Sequence, residues 1–287
     1  MLTQKLIGTT GAPTPLYVLS TGGSLRTSPN AITWTSRLTV GGSGIRALTY
    51  GNGLYVAGGQ GTYTSKNGIT WTSRSTGATR VTNALTYGNG LYVFGNEGGE
   101  LGTSTDGITW TLRTSGTIHN INALTYGNGL YVCAATNGEL RTSTDGITWT
   151  SRTSGTSQNI NALTYGNGIF VYGDAGGGLR TSTDGITWTA RSSGTTDRIK
   201  ALTYGNGIFA YGDDGGKLRT STDGITWTSR SVGAVTSINA LTYGDGLYVF
   251  GGNVGVLGTS PDGINWTSRN SGTTRDIAAL TYGAEPA

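Results

Sequence analysis

Apolar and polar positions along this chain alternate in short runs cut by glycine, and no window keeps apolar residues at helical spacing with caps at its ends. Within one stretch, Ala162 to Tyr165, Ile169 to Val171, Leu179 to Ser182 and Ile186 to Arg191 are rich in β-branched and aromatic residues and bounded by turn formers. Asn167-Gly168 joins the first two runs and Asp184-Gly185 the last two. Both dipeptides predict two-residue type I′ hairpin turns, which need positive φ at both central residues. The stretch therefore predicts a four-stranded antiparallel meander, and helix content near zero.

The meander recurs. Trp34, Trp71, Trp110, Trp149, Trp188, Trp227 and Trp266 are separated by one step of 37 residues and then steps of 39. ALTY occurs seven times, starting at Ala47, Ala84, Ala123, Ala162, Ala201, Ala240 and Ala279. Four strands in about 40 residues is the period of a β-propeller blade, so an all-β seven-bladed β-propeller with four-stranded antiparallel blades is expected. The chain enters at Leu16-Tyr17-Val18, matching a second strand, and finishes with Ala279 to Tyr282, matching a first strand. The ring should close by pairing that C-terminal strand with the N-terminal blade, which removes two open sheet edges. Residues 1–13 do not match the unit and read as an N-terminal tail, leaving 14–287 as one propeller domain.

Composition changes this picture little. Gly, Thr and Ser number 51, 51 and 24, which alone would read as a flexible linker, but 7 Trp and 15 Tyr contradict that. Charged residues make up only 12%, and the net charge of +4 is spread along the chain without a cluster, which argues against nucleic acid as a partner. No apolar run approaches the length of a membrane span, and the N-terminus does not read as a secretory signal. Cys133 is the only cysteine, so no intrachain disulfide can form. His119, the only histidine, has no Cys or acid at ligand spacing, so neither a metal nor a cofactor is expected and it reads as a surface-loop residue.

The segment Ser182-Thr183-Asp184-Gly185-Ile186-Thr187-Trp188, with counterparts from Ser104, Ser143 and Ser221, resembles the Asp-box repeat of sialidase-like propellers. The resemblance implies a loop in which Asp and Ser bond the turn backbone and the Trp packs inside. Asn30 and Asn67 replace the acid in the first two units, which favours a structural role. An active sialidase would also need an asymmetric arginine cluster with a Tyr and Glu pair, and Glu97, Glu100, Glu139 and Glu285 occupy no such place. An enzyme is therefore not expected. Units of the form GITWTSR with ALTYGNGLYV are also similar to segments of phage tail-fibre and environmental viral proteins, which implies a receptor-binding role.

Candidate binding residues come from where the units differ. Successive turns of a meander emerge at opposite ends, so the nearly identical Asn-Gly and Asp-Gly turns should share one face and the variable turns and links the other. Such variation on a rigid scaffold is what a recognition surface shows. The residue before ALTY is Arg46, Asn83, Asn122, Asn161, Lys200, Asn239 or Ala278, so a largely polar ring should surround the axial mouth. Two adjacent units carry Tyr172-Gly173-Asp174 with Arg180, and Tyr211-Gly212-Asp213-Asp214 with Arg219. An aromatic face beside an acid and an arginine is a combination that binds sugars. The arginines three after each Trp, from Arg37 to Arg269, should sit at the rim, and the tryptophans in the inter-blade core. The expected function is a non-enzymatic, multivalent carbohydrate- or receptor-binding module, with a structural or protein-interaction disc as the alternative.

Overall fold

The computed structural model describes residues 15–40 and 44–283; the expected tail at 1–13 lies outside the described residues. Seven four-stranded antiparallel sheets form a closed ring, with two three-residue 3-10 turns, Thr136–Gly138 and Asn253–Gly255, as the helical content among the described residues. In the Trp188 blade the strands are Ile160–Gly166, Ile169–Asp174, Leu179–Ser182 and Thr189–Arg191, running from the axis to the rim. Ring closure is as expected: Ile277–Gly283 pairs antiparallel with Leu16–Thr21, with Tyr17 opposite Tyr282.

The first turn is the predicted one, with φ of 46° at Asn167 and 79° at Gly168. The Asp-Gly connection is different. Of Asp184 and Gly185 only the glycine takes a positive φ, 70°, and the ladder resumes with Thr181 opposite Thr189. The fourth strand therefore starts at Thr189 and not at Ile186. The cause is Asp184, whose Oδ1 accepts hydrogen bonds at 2.8 Å from the backbone N–H of Ile186 and Thr187 and from Ser182 Oγ. A side-chain-capped loop replaces the two-residue turn.

Blades pack through residues of both neighbours. One cluster joins Ala123, Val132 and Ala134 of one blade to Ile160, Phe170 and Tyr172 of the next, with Trp188 against it. The tryptophans cover the edge of these clusters: Trp34 is buried and the other six are half-buried, each Nε1–H donating to the carbonyl three residues back, as in Trp188 to Gly185 at 3.2 Å. The glycine ending each inner strand has a packing cause. A Cβ on Gly166 would lie 2.0 Å from Cγ of Tyr204 in the next blade, so only glycine lets the inner strands approach. Rim arginines lie on the outermost strands, each Nε–H donating to a Thr ten residues earlier, as in Arg191 to Thr181 at 2.9 Å.

Candidate functional site

The inner strand of every blade carries a β-bulge at one position. In the Trp188 blade Ile160 pairs with Asp174 and Ala162 with Gly173, so Asn161 is skipped. The same skip falls on Arg46, Asn83, Asn122, Lys200, Asn239 and Ala278. A bulge removes a residue from the ladder and re-aims its side chain. These seven residues, with the Ala and Leu following each, line an axial cavity of about 180 Å³. Above it a wider basin of about 620 Å³ opens on the side of the disc carrying the variable turns and links. Arg46, Asn161, Lys200, Asn239 and Ala278 reach this basin together with Arg198, Asn253 and Asp276.

The basin's cations are paired with carboxylates, Lys200 and Arg198 sharing one. Arg46 Nη1 lies 2.5 Å from Glu97 Oε1 and donates to Asn83 Oδ1 at 2.9 Å. Asp214 accepts from Lys200 Nζ at 2.8 Å and lies 3.1 Å from Arg198 Nε. Burial of the Asp214 carboxyl opposes its ionisation, but the Lys200 hydrogen bond and the charges of Lys200 and Arg198 outweigh it and hold the group below the usual carboxylate range. The amides are also oriented: Asn239 Nδ2 donates to Asn253 Oδ1 at 2.9 Å and Asn161 Nδ2 to the Asn159 carbonyl at 3.1 Å. The mouth is therefore a preorganised polar surface of amides and paired charges.

Most of the second candidate set is structural. Tyr172 and Tyr211 are fully buried, their hydroxyls donating to the carbonyls of Ser154 at 2.8 Å and Ser193 at 2.7 Å and their rings against Trp188 and Trp227. Neither can stack on a ligand. Strands covered by a blade on each side are buried on both faces, so an aromatic at a strand end is no sign of exposure. Asp174 is also buried, its Oδ1 accepting from the N–H of Gly176 and Gly178 and its Oδ2 from Thr156 Oγ1. Asp213 does the same with Lys217 N–H and Thr195 Oγ1, both at 2.8 Å. Arg180 and Arg219 donate to the Gly155 and Gly194 carbonyls and tie each blade to the preceding link. Of this set only Asp214 touches the mouth, through its pairs with Lys200 and Arg198.

Arg198 and Asp276 lie in links that the sequence marks as variable, but only the fold brings them to the basin. His119 also gains a partner that spacing did not reveal: Glu139, 20 residues on, places Oε1 2.9 Å from its Nδ1. Cys133 is buried, and burial pushes its thiol up to about 12.

The family described as "DUF6242 beta propeller domain" matches residues 72–151 and 156–276, more than half of the chain. No curated protein matches the sequence. Among solved structures, the computationally designed Ika8 protein superposes with a TM-score of 0.68 at 17% identity, covering 98% of this chain and 95% of its own. YCF48 from Cyanidioschyzon merolae gives 0.60 at 14% identity, with 80% and 86% covered. YCF48 bound to D1 peptide gives 0.63 at 15% identity, with 91% and 85% covered. Likeness at these identities is one of fold.

Proposed function

The chain belongs to the DUF6242 β-propeller family, and we propose that within that fold it is a non-catalytic binding module that takes a polyhydroxylated ligand, a glycan, at the axial mouth. The observation that carries this is the bulge repeated in all seven blades. Each blade interrupts its innermost ladder to present one side chain to the mouth, Asn in four blades and Arg, Lys or Ala in the other three, while ALTY behind it is the same in all seven. Asn amides offer donors and acceptors at once, matching hydroxyls that do both. Paired cations favour a polar ligand without a large net charge.

Glycan-array screening of the native chain, followed by calorimetric titration of any hit, tests the reading. Lys200→Ala and Asn161→Ala should weaken binding about tenfold each, the loss of roughly one to two kcal/mol for a hydrogen bond to the ligand. Absence of any glycan ligand at millimolar concentration would sink it. The protein-interaction disc remains the second reading, favoured by a similar propeller whose structure is that of "YCF48 bound to D1 peptide". Capture of a peptide by the mouth, lost in Lys200→Ala, would select it.

A further inference from the structure

Seven exposed isoleucines lie outside the mouth. Ile32, Ile69, Ile108, Ile147, Ile186, Ile225 and Ile264 are each 38–46% exposed and occupy the same place in every blade, following the Asx-Gly or Asn-Ala pair of the third loop. The loop does not need them. Its hydrogen bond is made by the backbone N–H, as from Ile186 to Asp184 Oδ1 at 2.8 Å, and any residue supplies that. A neighbouring loop position holds Pro29, Lys66, Thr105 or Pro261, so this loop tolerates change while keeping an exposed branched alkyl group. Scattered exposed apolar residues need no cause, but the same one in seven of seven units does.

The isoleucine closes a groove between blades. Ile108 faces Leu54, Thr64, Lys66, Asn67, Thr70, Thr72 and Arg74 of the preceding blade around a cavity of about 270 Å³. The repeat places corresponding elements at the other interfaces, Thr181, Asp184, Thr187, Thr189 and Arg191 before Ile225 for example, with Thr or Pro in the place of Lys66. In six blades the glycine before the isoleucine approaches the previous blade in the same way, Gly107 against Leu54 and Gly224 against Ile169; in the first blade Ala31 stands there. In all seven the arginine Nε–H is tied to the strand-three threonine at 2.7–3.0 Å. That bond uses one of five guanidinium N–H donors and fixes the fork's position.

We propose that these seven inter-blade grooves are equivalent, weak saccharide sites, separate from the axial mouth. The inference shares with the proposed function only its ligand class. One branched alkyl surface to meet the C–H face of a sugar ring, threonine hydroxyls, an Asx side chain and an anchored arginine suit a single pyranose. The volume falls below the roughly 300–1,000 Å³ of pockets for drug-sized ligands, which suits one sugar unit. A ligand of many identical units would engage several grooves at once and bind through effective concentration.

The test is equilibrium dialysis of the full chain against radiolabelled methyl glycosides of glucose, galactose, mannose and N-acetylglucosamine at millimolar concentration, reading the number bound per chain. About seven groove-bound glycosides are expected for at least one sugar, beside the one that the mouth would hold; the Ile186→Ser/Ile225→Ser double variant should lose about two, and Lys200→Ala no more than the one at the mouth. Thermal melting of the double variant, with solvent-exposed positions changed, should show it folded. A stoichiometry of one that disappears with Lys200→Ala overturns the groove sites and leaves the mouth standing. Seven sites unaffected by Lys200→Ala would support the grooves and count against the mouth, and no binding of any of the four glycosides would overturn the groove sites.

Discussion

Replacing Tyr172 separates a binding platform from a packing element. Its side chain is fully buried, its ring centroid lies 4.9 Å from that of Trp188, and its hydroxyl donates to the Ser154 carbonyl at 2.8 Å. Truncation to alanine empties an aromatic-sized volume between two blades, a change that costs about 3–5 kcal/mol in rigid cores. Tyr172→Phe keeps the ring and removes the hydroxyl, leaving a buried carbonyl without its donor at a cost of about 1–3 kcal/mol. With about 2–4 °C per kcal/mol for domains somewhat smaller than this one, the alanine variant should melt on the order of 10 °C lower and the phenylalanine variant a few degrees lower. Differential scanning calorimetry and urea titration read both. If Tyr172→Ala kept the wild-type melting temperature and urea midpoint while glycan binding vanished, the packing argument would be refuted and the tyrosine would return to the ligand site.

Other consequences are as direct. Val254 holds φ of 55° at 66% exposure, in a turn matched by Asn137 with φ of 59° in another blade. Val254→Asn should therefore raise stability by about 1 kcal/mol in urea titration, because a β-branched residue is strained in the left-handed region. Asp106, Asp145, Asp184 and Asp223 have carboxyls lowered to about 2 from 3.8, mainly by hydrogen bonds from backbone N–H groups in their loops. A depressed folded-state value means stability present above the unfolded value and lost as pH falls from about 4 through about 2, so melting temperature should drop across that window. The fourfold Asp→Asn variant, which copies the neutral Asn30 and Asn67 loops, should show a shallower drop; an unchanged slope would contradict the assignment. Cys133 should resist a thiol reagent in the native state and react once urea unfolds the chain, since burial holds its thiol far from ionisation.

Much of the fold is legible because seven copies average away local ambiguity. One ALTYGNG segment could be many things, but the tryptophan period leaves one architecture, and the two chain ends supply the missing strand. What the sequence hides is which side of a residue meets solvent. The Asp-Gly dipeptide looks like a hairpin until Asp184 is seen gripping two backbone N–H groups, and Tyr172 looks like a sugar platform until the neighbouring blade is placed over it. Both errors come from reading a blade as if it stood alone. The polar ring was legible for the same reason that the tyrosines were not: a residue preceding the innermost strand's ALTY lies at the axis whatever the neighbours do, and the bulge that aims it recurs in every blade. Variation and invariance then carry different information. A position that differs among copies on a shared bulge points to one asymmetric site at the axis. An exposed apolar residue kept in every copy points to seven symmetric ones near the rim, so the number of ligands bound per chain tells which of the two kinds of site is filled.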